Sequence, residues 1–259
     1  MLWKIEGSAT YILGSVHFTN LNPLRLPTTV AEVFRAASHI VFEADLSERP
    51  DSTPLLLPIE TTLRDYVSEV TYSKAHANWV RLGLPEHNLP RFKPGAAALI
   101  LHINQAAKDG YVFEQGIDKV LWDRAIRDAK HRAPLEAVEA QTNALKSSPL
   151  AEQAAMLEYF VEGDLGIATL SSMVNAWKQG NTKPFDATLA ERRRLWPAMS
   201  DILIDRRNQN WVPTIIRMAS DQKPRLIVVG ALHMVGPTGL PLLLFKRGIR
   251  LRAQAWYLP

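Results

Sequence analysis

The chain has 259 residues, of which 47% are hydrophobic and 22% charged, a balance ordinary for one sizeable α/β core or two small domains and one that excludes disorder as the default. Its net charge of +4 comes from 30 basic and 26 acidic residues spread along the whole length, too weak and too scattered for a nucleic-acid-binding stripe, and the triplet Arg192, Arg193 and Arg194 reads as a solvated helix face. There is no cysteine, which removes disulfides, thiolate metal sites and cysteine nucleophiles, so that any metal must take nitrogen and oxygen ligands.

The first elements are two β-rich runs, Leu2 to Ile5 and Thr10 to Leu13, around the polar turn Glu6-Gly7-Ser8, and they read as a hairpin. Gly14-Ser15-Val16-His17 follows, then an Asn- and Pro-containing loop, and Thr28 or Thr29 is expected to cap a helix over Val30 to Ala37. Ile40-Val41-Phe42 is a short apolar strand ending at Glu43. From Leu63 to about Ser220 the pattern becomes helix after helix, punctuated by Pro and Gly, and reads as a helical insertion. Arg225 to Val229 is the strongest buried-strand signal, β-branched and apolar without alternation; it stops at Gly230. A helix over Thr238 to Arg247, closed by Gly248, and a last strand over Ile249 to Trp256 complete the chain. The expected organisation is a single domain over 1–259, with sheet-forming ends at about 1–58 and 222–259 and the helical insertion at about 59–221. No run approaches the ~18 apolar residues of a membrane span. The opening Met1-Leu2-Trp3-Lys4-Ile5 has no basic-then-apolar signal pattern; as written this points to the cytoplasm, and to the periplasm or secretion if a signal has been removed.

In a sheet with right-handed crossovers the carboxyl ends of parallel strands lie along one edge, where ligands bind. Three strands end there in chemically capable residues: Ile12-Leu13 leads to His17, Val41-Phe42 to Glu43, and Val228-Val229 to His233. Two imidazoles and a carboxylate suit Zn²⁺, Mn²⁺, Co²⁺ or Fe²⁺, with positions left for water or substrate. Gly14 and Gly230 stand three residues before each histidine, where a strand turning sharply needs a residue without Cβ. Each histidine alone reads as a hydrogen-bonded strand-end residue; the repeat of strand and Gly-x-x-His, in a chain with seven histidines, points to a shared ligand role. His39, His76, His87, His102 and His131 have no matching partner in the pattern and receive no function. The His-Glu-x-x-His helix, the Gly-x-Ser-x-Gly elbow and a phosphate-cradling Gly-rich loop are all missing.

With these elements in place, the chain resembles the TraB/GumN family, which includes the Tiki proteases and pheromone-shutdown proteins. The likeness runs nearly end to end: Leu2-Trp3-Lys4-Ile5 with Tyr11 to His17, Val41-Phe42-Glu43, Phe92-Lys93-Pro94, Gly116-Ile117-Asp118, Leu135-Glu136 with Glu139 and Gln141, Arg207-Asn208, and Val229 to His233 with Gly236 and Gly239. Gly95 stands where that family commonly carries Trp. The resemblance implies an EreA/ChaN-like α/β fold, with a central mostly parallel sheet, flanking helices and a large helical insertion. For Tiki-like members it also implies metal-dependent peptide hydrolysis with Mn²⁺ or Co²⁺ favoured.

On that reading His17, Glu43 and His233 hold or flank a divalent transition metal (Mn, Co or Zn), which activates a water for attack on a peptide or small amide substrate. Glu43 is a ligand or the base that takes the proton from that water, with Glu136 as the other base or else a surface or helix-capping residue. Arg207 is a candidate to stabilise the oxyanion, or a helix-end salt bridge; Asn208 orients a ligand or donates to the same oxygen. Asp118 is a further catalytic candidate, or a helix cap. Two other classes compete: a non-enzymatic protein of the same fold that sequesters a peptide signal or carries haem or iron, and a scaffold whose histidines are structural.

Overall fold

The structure, a computed structural model describing residues 1–49 and 51–257, is built on a six-stranded sheet. In chain order the strands are β1 (Leu2–Ile5), β2 (Thr10–Ser15), β3 (His39–Phe42), β4 (His131–Pro134), β5 (Arg225–Gly230) and β6 (Leu251–Ala253). They lie side by side as β4-β3-β5-β2-β1-β6; the first four are mutually parallel, while β1 runs antiparallel to both its neighbours. The expected hairpin is therefore present as β1 and β2, with Leu2 opposite Leu13. The two chain ends meet through β2 and β5, which pair along their length from Thr10 opposite Arg225 to Ser15 opposite Gly230.

The helices are α1 (Thr28–Ala36), α2 (Glu69–Arg81), α3 (Pro94–Lys108), α4 (Ile117–Arg127), α5 (Glu139–Ser147), α6 (Leu150–Glu162), α7 (Ile167–Lys178), α8 (Lys183–Leu195), α9 (Pro197–Ser200), α10 (Arg206–Ser220) and α11 (Leu240–Lys246). Alternation along the strands divides the core into two faces. Leu13, Ile40, Phe42, Leu226 and Val228 pack with α1, α4, α7 and α8. Ile5, Ile12, Val41, Ile227 and Val229 pack with α10 and α11 on the other side. A third cluster, centred on Trp79, Leu101, Leu157 and Phe160, belongs to α2, α3 and α6, away from the sheet.

Four details differ from the sequence reading. The helical stretch contributes a strand: His131 to Pro134 form β4, whose residues are exposed or half-buried and give no apolar signal. The helix expected over Thr238 to Arg247 is shorter, the seven residues of α11, because Gly236 takes a left-handed φ of 76° and Gly239, still extended, stands at the cap position before Leu240. The last strand is three residues long. Thr28 is the first helical residue of α1 and neither it nor Thr29 caps the helix; the cap position is Pro27, with no side-chain bond. Among the described residues no helix is long and apolar enough to cross a membrane.

Candidate functional site

The four parallel strands end at the same edge, and each delivers one ionisable side chain within three residues of its end: β2 gives His17, β3 Glu43, β4 Glu136 and β5 His233. His17 stands two residues beyond β2 against Asp118 of α4, and Glu43 directly follows β3, whose Val41 packs with α10.

Two helices orient the imidazoles. Asp118, in the first turn of α4 and buried, faces Nδ1 of His17 at 3.1 Å, which leaves Nε2 pointing into the site. Asp118 therefore backs a histidine and makes no side-chain cap bond to α4; among the described residues its buried Oδ1 has no hydrogen-bond partner. Asn208, fully buried on α10, directs its NH₂ to the carbonyls of His233 (3.2 Å) and Thr238 (2.8 Å), so its Oδ1 accepts from Nδ1–H of His233 at 2.7 Å. That fixes the tautomer of His233 and presents a lone pair at Nε2. Nε2 of His17 and Oε1 of Glu43 each lie 3.2 Å from where a β-carbon on Gly230 would stand, and so are no further apart than twice that distance. Oε1 of Glu43 is 3.8 Å from Nε2 of His233.

Gly14 and Gly230 have a different role from the one expected. Both are strand residues without a left-handed φ, and the chain does not turn sharply at either. What matters is close approach: a side chain at Gly14 would press on Ala231 at 3.2 Å, and one at Gly230 on the two site residues. Gly116 acts likewise, since a β-carbon there would fall 2.1 Å from the carbonyl oxygen of His17.

Arg207 is the hub of the site. Its Nε and Nη2 donate to Oε1 of Glu136 at 2.9 and 2.6 Å, Nη2 also to Oε2 of Glu43 at 2.5 Å, and Nη1 to the carbonyl of Leu203 at 3.0 Å and to Nε2 of His233 at 3.3 Å. Every donor of the guanidinium is engaged. Just before it, Asp201–Asp205 form a π-helical turn that includes Leu203, the kind of irregularity common at functional sites. Glu136 is half-buried, its Oε2 accepting from Trp211 Nε1 at 3.0 Å. Trp211 also packs its ring, tilted by 43°, against that of His233 with centroids 4.6 Å apart, and Gln141 Nε2 donates to Oε2 of Glu43 at 3.4 Å.

These surroundings set the charges. The carboxylate of Asp118 raises the pKa of His17 to about 9 against the pull of burial, so this half-exposed imidazole (46%) holds a proton at neutral pH. Burial drives His233 down to about 3, opposed by Glu43 and aided by Arg207 and His17. Burial alone would raise the Glu43 carboxyl; Arg207 and the Gly230 N–H, donating at 2.6 Å, overcome it and hold Glu43 well below the usual carboxylate range.

Residues 1–253 match the model of the TraB/PrgY/gumN family. The chain belongs to that family. Among its relatives is YbaP of Shigella flexneri, an uncharacterized protein 25% identical over 236 residues, 91% of this chain and 87% of the relative. YbaP of Escherichia coli K12, also uncharacterized, is 26% identical over 235 residues, 90% and 87% of the two chains. No solved structure matches.

The TraB-family residues singled out from sequence, His17, Glu43, Asp118, Glu136, Arg207, Asn208 and His233, all come together at this edge. Trp211 and the 231–239 loop contacts were missed. Among the described residues no group of three or more His, Cys, Asp or Glu side chains is assembled that could hold a metal ion, and Arg207 fills the space between Glu43, Glu136 and His233. The donor chemistry nonetheless fits one: two imidazoles presenting Nε2, each with Nδ1 tied to a supporting oxygen, is the arrangement by which proteins prepare histidine ligands.

Proposed function

We propose that this TraB-family chain is a metal-dependent hydrolase of the Tiki-like metallopeptidase kind, on an EreA/ChaN-like fold, acting on peptide or small amide bonds. The observation that carries the reading is the paired orientation of His17 and His233. Each has its Nδ1 held by an oxygen of a neighbouring helix, and each turns Nε2 toward Oε1 of Glu43 beside Gly230.

Nε2 of His17, Nε2 of His233 and Oε1 of Glu43 would hold the ion, with Mn²⁺, Co²⁺ or Zn²⁺ suited to that donor set. When bound, such an ion polarises a carbonyl and makes a water nucleophilic near neutral pH. The chain's own residues prepare the site. His233 enters it neutral, with no proton of its own on Nε2, whose lone pair accepts a hydrogen bond from Arg207 Nη1 at 3.3 Å. With an ion bound, His17 would lose its Nε2 proton to solvent and keep Nδ1–H donating to Asp118, which would support the neutral ring. Glu43, kept ionised, is assigned the ligand role rather than that of base. Glu136 and Trp211 hold Arg207, and Arg207 holds Glu43, as positioning residues.

The test is metal content and peptide hydrolysis measured on the same preparations. Wild-type protein dialysed against Mn²⁺, Co²⁺ or Zn²⁺ is expected to retain about one ion per chain. H17A and H233A, folded by circular dichroism, lose both the ion and the cleavage of a mixed peptide pool followed by mass spectrometry. Chelator-treated protein that cleaves as well as the loaded form contradicts the proposal. So does return of every peptide intact, which marks a peptide binder, or a visible haem band in the purified protein.

A further inference from the structure

The three consecutive arginines of α8 do not share one solvated face. Arg194 is exposed, whereas the side chain of Arg193, 21% exposed, enters the loop between His233 and α11. Its Nη2 donates to Oδ1 of Asp205 at 2.6 Å and to the hydroxyl of Thr238, and that hydroxyl donates to the same Oδ1 at 2.5 Å. Arginine only donates and an ionised carboxylate only accepts, so the three bonds run in one sense, with Thr238 between the two charges. Gly236 leaves room for them: its φ is left-handed at 76°, and a β-carbon there would stand 2.5 Å from Nη1 of Arg193.

Both partners of Arg193 lead to the sheet edge. Asp205 closes the π-helical turn Asp201–Asp205, in which the N–H of Arg206 reaches back to the carbonyl of Asp201, and the same turn carries the Leu203 carbonyl that accepts from Arg207. The carbonyl of Thr238 accepts from Nδ2 of Asn208 at 2.8 Å, and the carbonyl of His233 accepts from the same NH₂ at 3.2 Å. Carbonyls can only accept, so these two decide which way the Asn208 amide faces, and hence that its Oδ1 meets Nδ1–H of His233. Loss of Arg193 takes the cation from Asp205 and one of two side-chain bonds from Thr238. As the loop slackens, the amide is left with the longer bond to His233 alone.

We propose that Arg193, Asp205 and Thr238 are positioning residues of the sheet-edge site: they pin the 234–239 loop to the π turn, and through Asn208 they set the tautomer and the aim of His233. The effect on the ring stands whatever the edge binds; the effect on metal rests on the hydrolase reading.

Two-bond proton–nitrogen correlation spectra of the full chain, labelled at the histidine nitrogens and freed of metal with a chelator, test it, the His233 signals being those missing in H233Q. The wild type is expected to show His233 with a proton on Nδ1 and none on Nε2. R193M and T238V, folded by circular dichroism, are expected to replace that single pattern with a mixture of tautomers, and R193K to lie between R193M and wild type. In the same variants the affinity for Zn²⁺ by calorimetry falls about tenfold. Wild-type correlations in a folded R193M, whatever its melting temperature, overturn the proposal, because the cluster then only holds the fold together. A wild type with the His233 proton on Nε2 overturns it too. If R193M does not fold, T238V, which removes one hydroxyl, decides in the same terms, and an unfolded T238V marks the cluster as purely structural and counts against the proposal. An altered ring with unchanged Zn²⁺ affinity supports the positioning role and contradicts His233 as a ligand; a wild type with the expected ring and no bound ion contradicts the hydrolase reading alone.

Discussion

Replacing Arg207 with methionine leaves Glu43 and Glu136, 8% and 12% exposed, side by side without the guanidinium that bridges them. Removing one partner of a buried ion pair costs about 3–5 kcal/mol. For a chain of this length about 2–4 °C of melting temperature goes with each kcal/mol, so R207M should melt roughly 10 °C lower at neutral pH. The loss depends on pH in a definite direction. With Arg207 present, the Glu43 carboxyl sits below its ordinary value, so its contribution is full above about pH 4–5 and fades as the pH falls through and below that range. Without Arg207, burial is opposed only by His233, His17 and the Gly230 N–H, so the carboxyl moves up and less of its stabilising contribution remains as the pH rises. The gap between wild type and R207M should therefore widen from about pH 5 to about pH 8, measured by urea unfolding followed by circular dichroism. A gap below about 1 kcal/mol, or one of equal size at both pH values, refutes the view of Arg207 as hub of a buried charge cluster.

Three further outcomes follow from particular contacts. N208A leaves the Nδ1–H of His233 and two carbonyls without partners in a fully buried place, at roughly 1–3 kcal/mol for each unsatisfied group, and lowers metal affinity about 10–100-fold; unchanged affinity by calorimetry would show that His233 needs no orienting. G230A places a methyl 3.2 Å from both Nε2 of His17 and Oε1 of Glu43, so metal affinity falls about tenfold while the chain stays folded, and a tightly binding variant would speak against convergence there. His39 and His131 stack at 4.8 Å across β3 and β4, with the pKa of His39 lowered by burial and then by His131. A histidine so depressed adds stability above its ordinary pKa and loses it as the pH falls toward the lowered value. Melting temperature should therefore drop below about pH 6.5, and less steeply in H131Q; parallel curves would remove the pair as the cause.

What was legible from sequence had a periodic or repeated signal. β5 reads out because Leu226 to Val229 are buried on both faces and uninterrupted, and the two Gly-x-x-His segments reveal each other because β2 and β5 are neighbours in the sheet. β4 was not legible. An edge strand of His-Arg-Ala-Pro has only one face to cover and needs no apolar run, yet it is the strand that brings Glu136 to the site. The identities of Asp118, Arg207 and Asn208 were readable, but not their geometry. Whether Asp118 caps α4 or backs His17 depends on the loop from Val16 docking over Gly116, where Ile117 N donates to the carbonyl of Val16 at 3.0 Å. The role of Trp211 is one turn further along α10 from Arg207 and carries no motif of its own; only the helix face shared with Arg207 could have pointed to it.

The most direct test of the account is a crystal of the chain soaked in Mn²⁺ or Zn²⁺ and examined by anomalous diffraction. The account predicts one strong peak at the carboxyl edge of the sheet, within bonding distance of Nε2 of both His17 and His233. A peak elsewhere, or one touching a single imidazole, contradicts it.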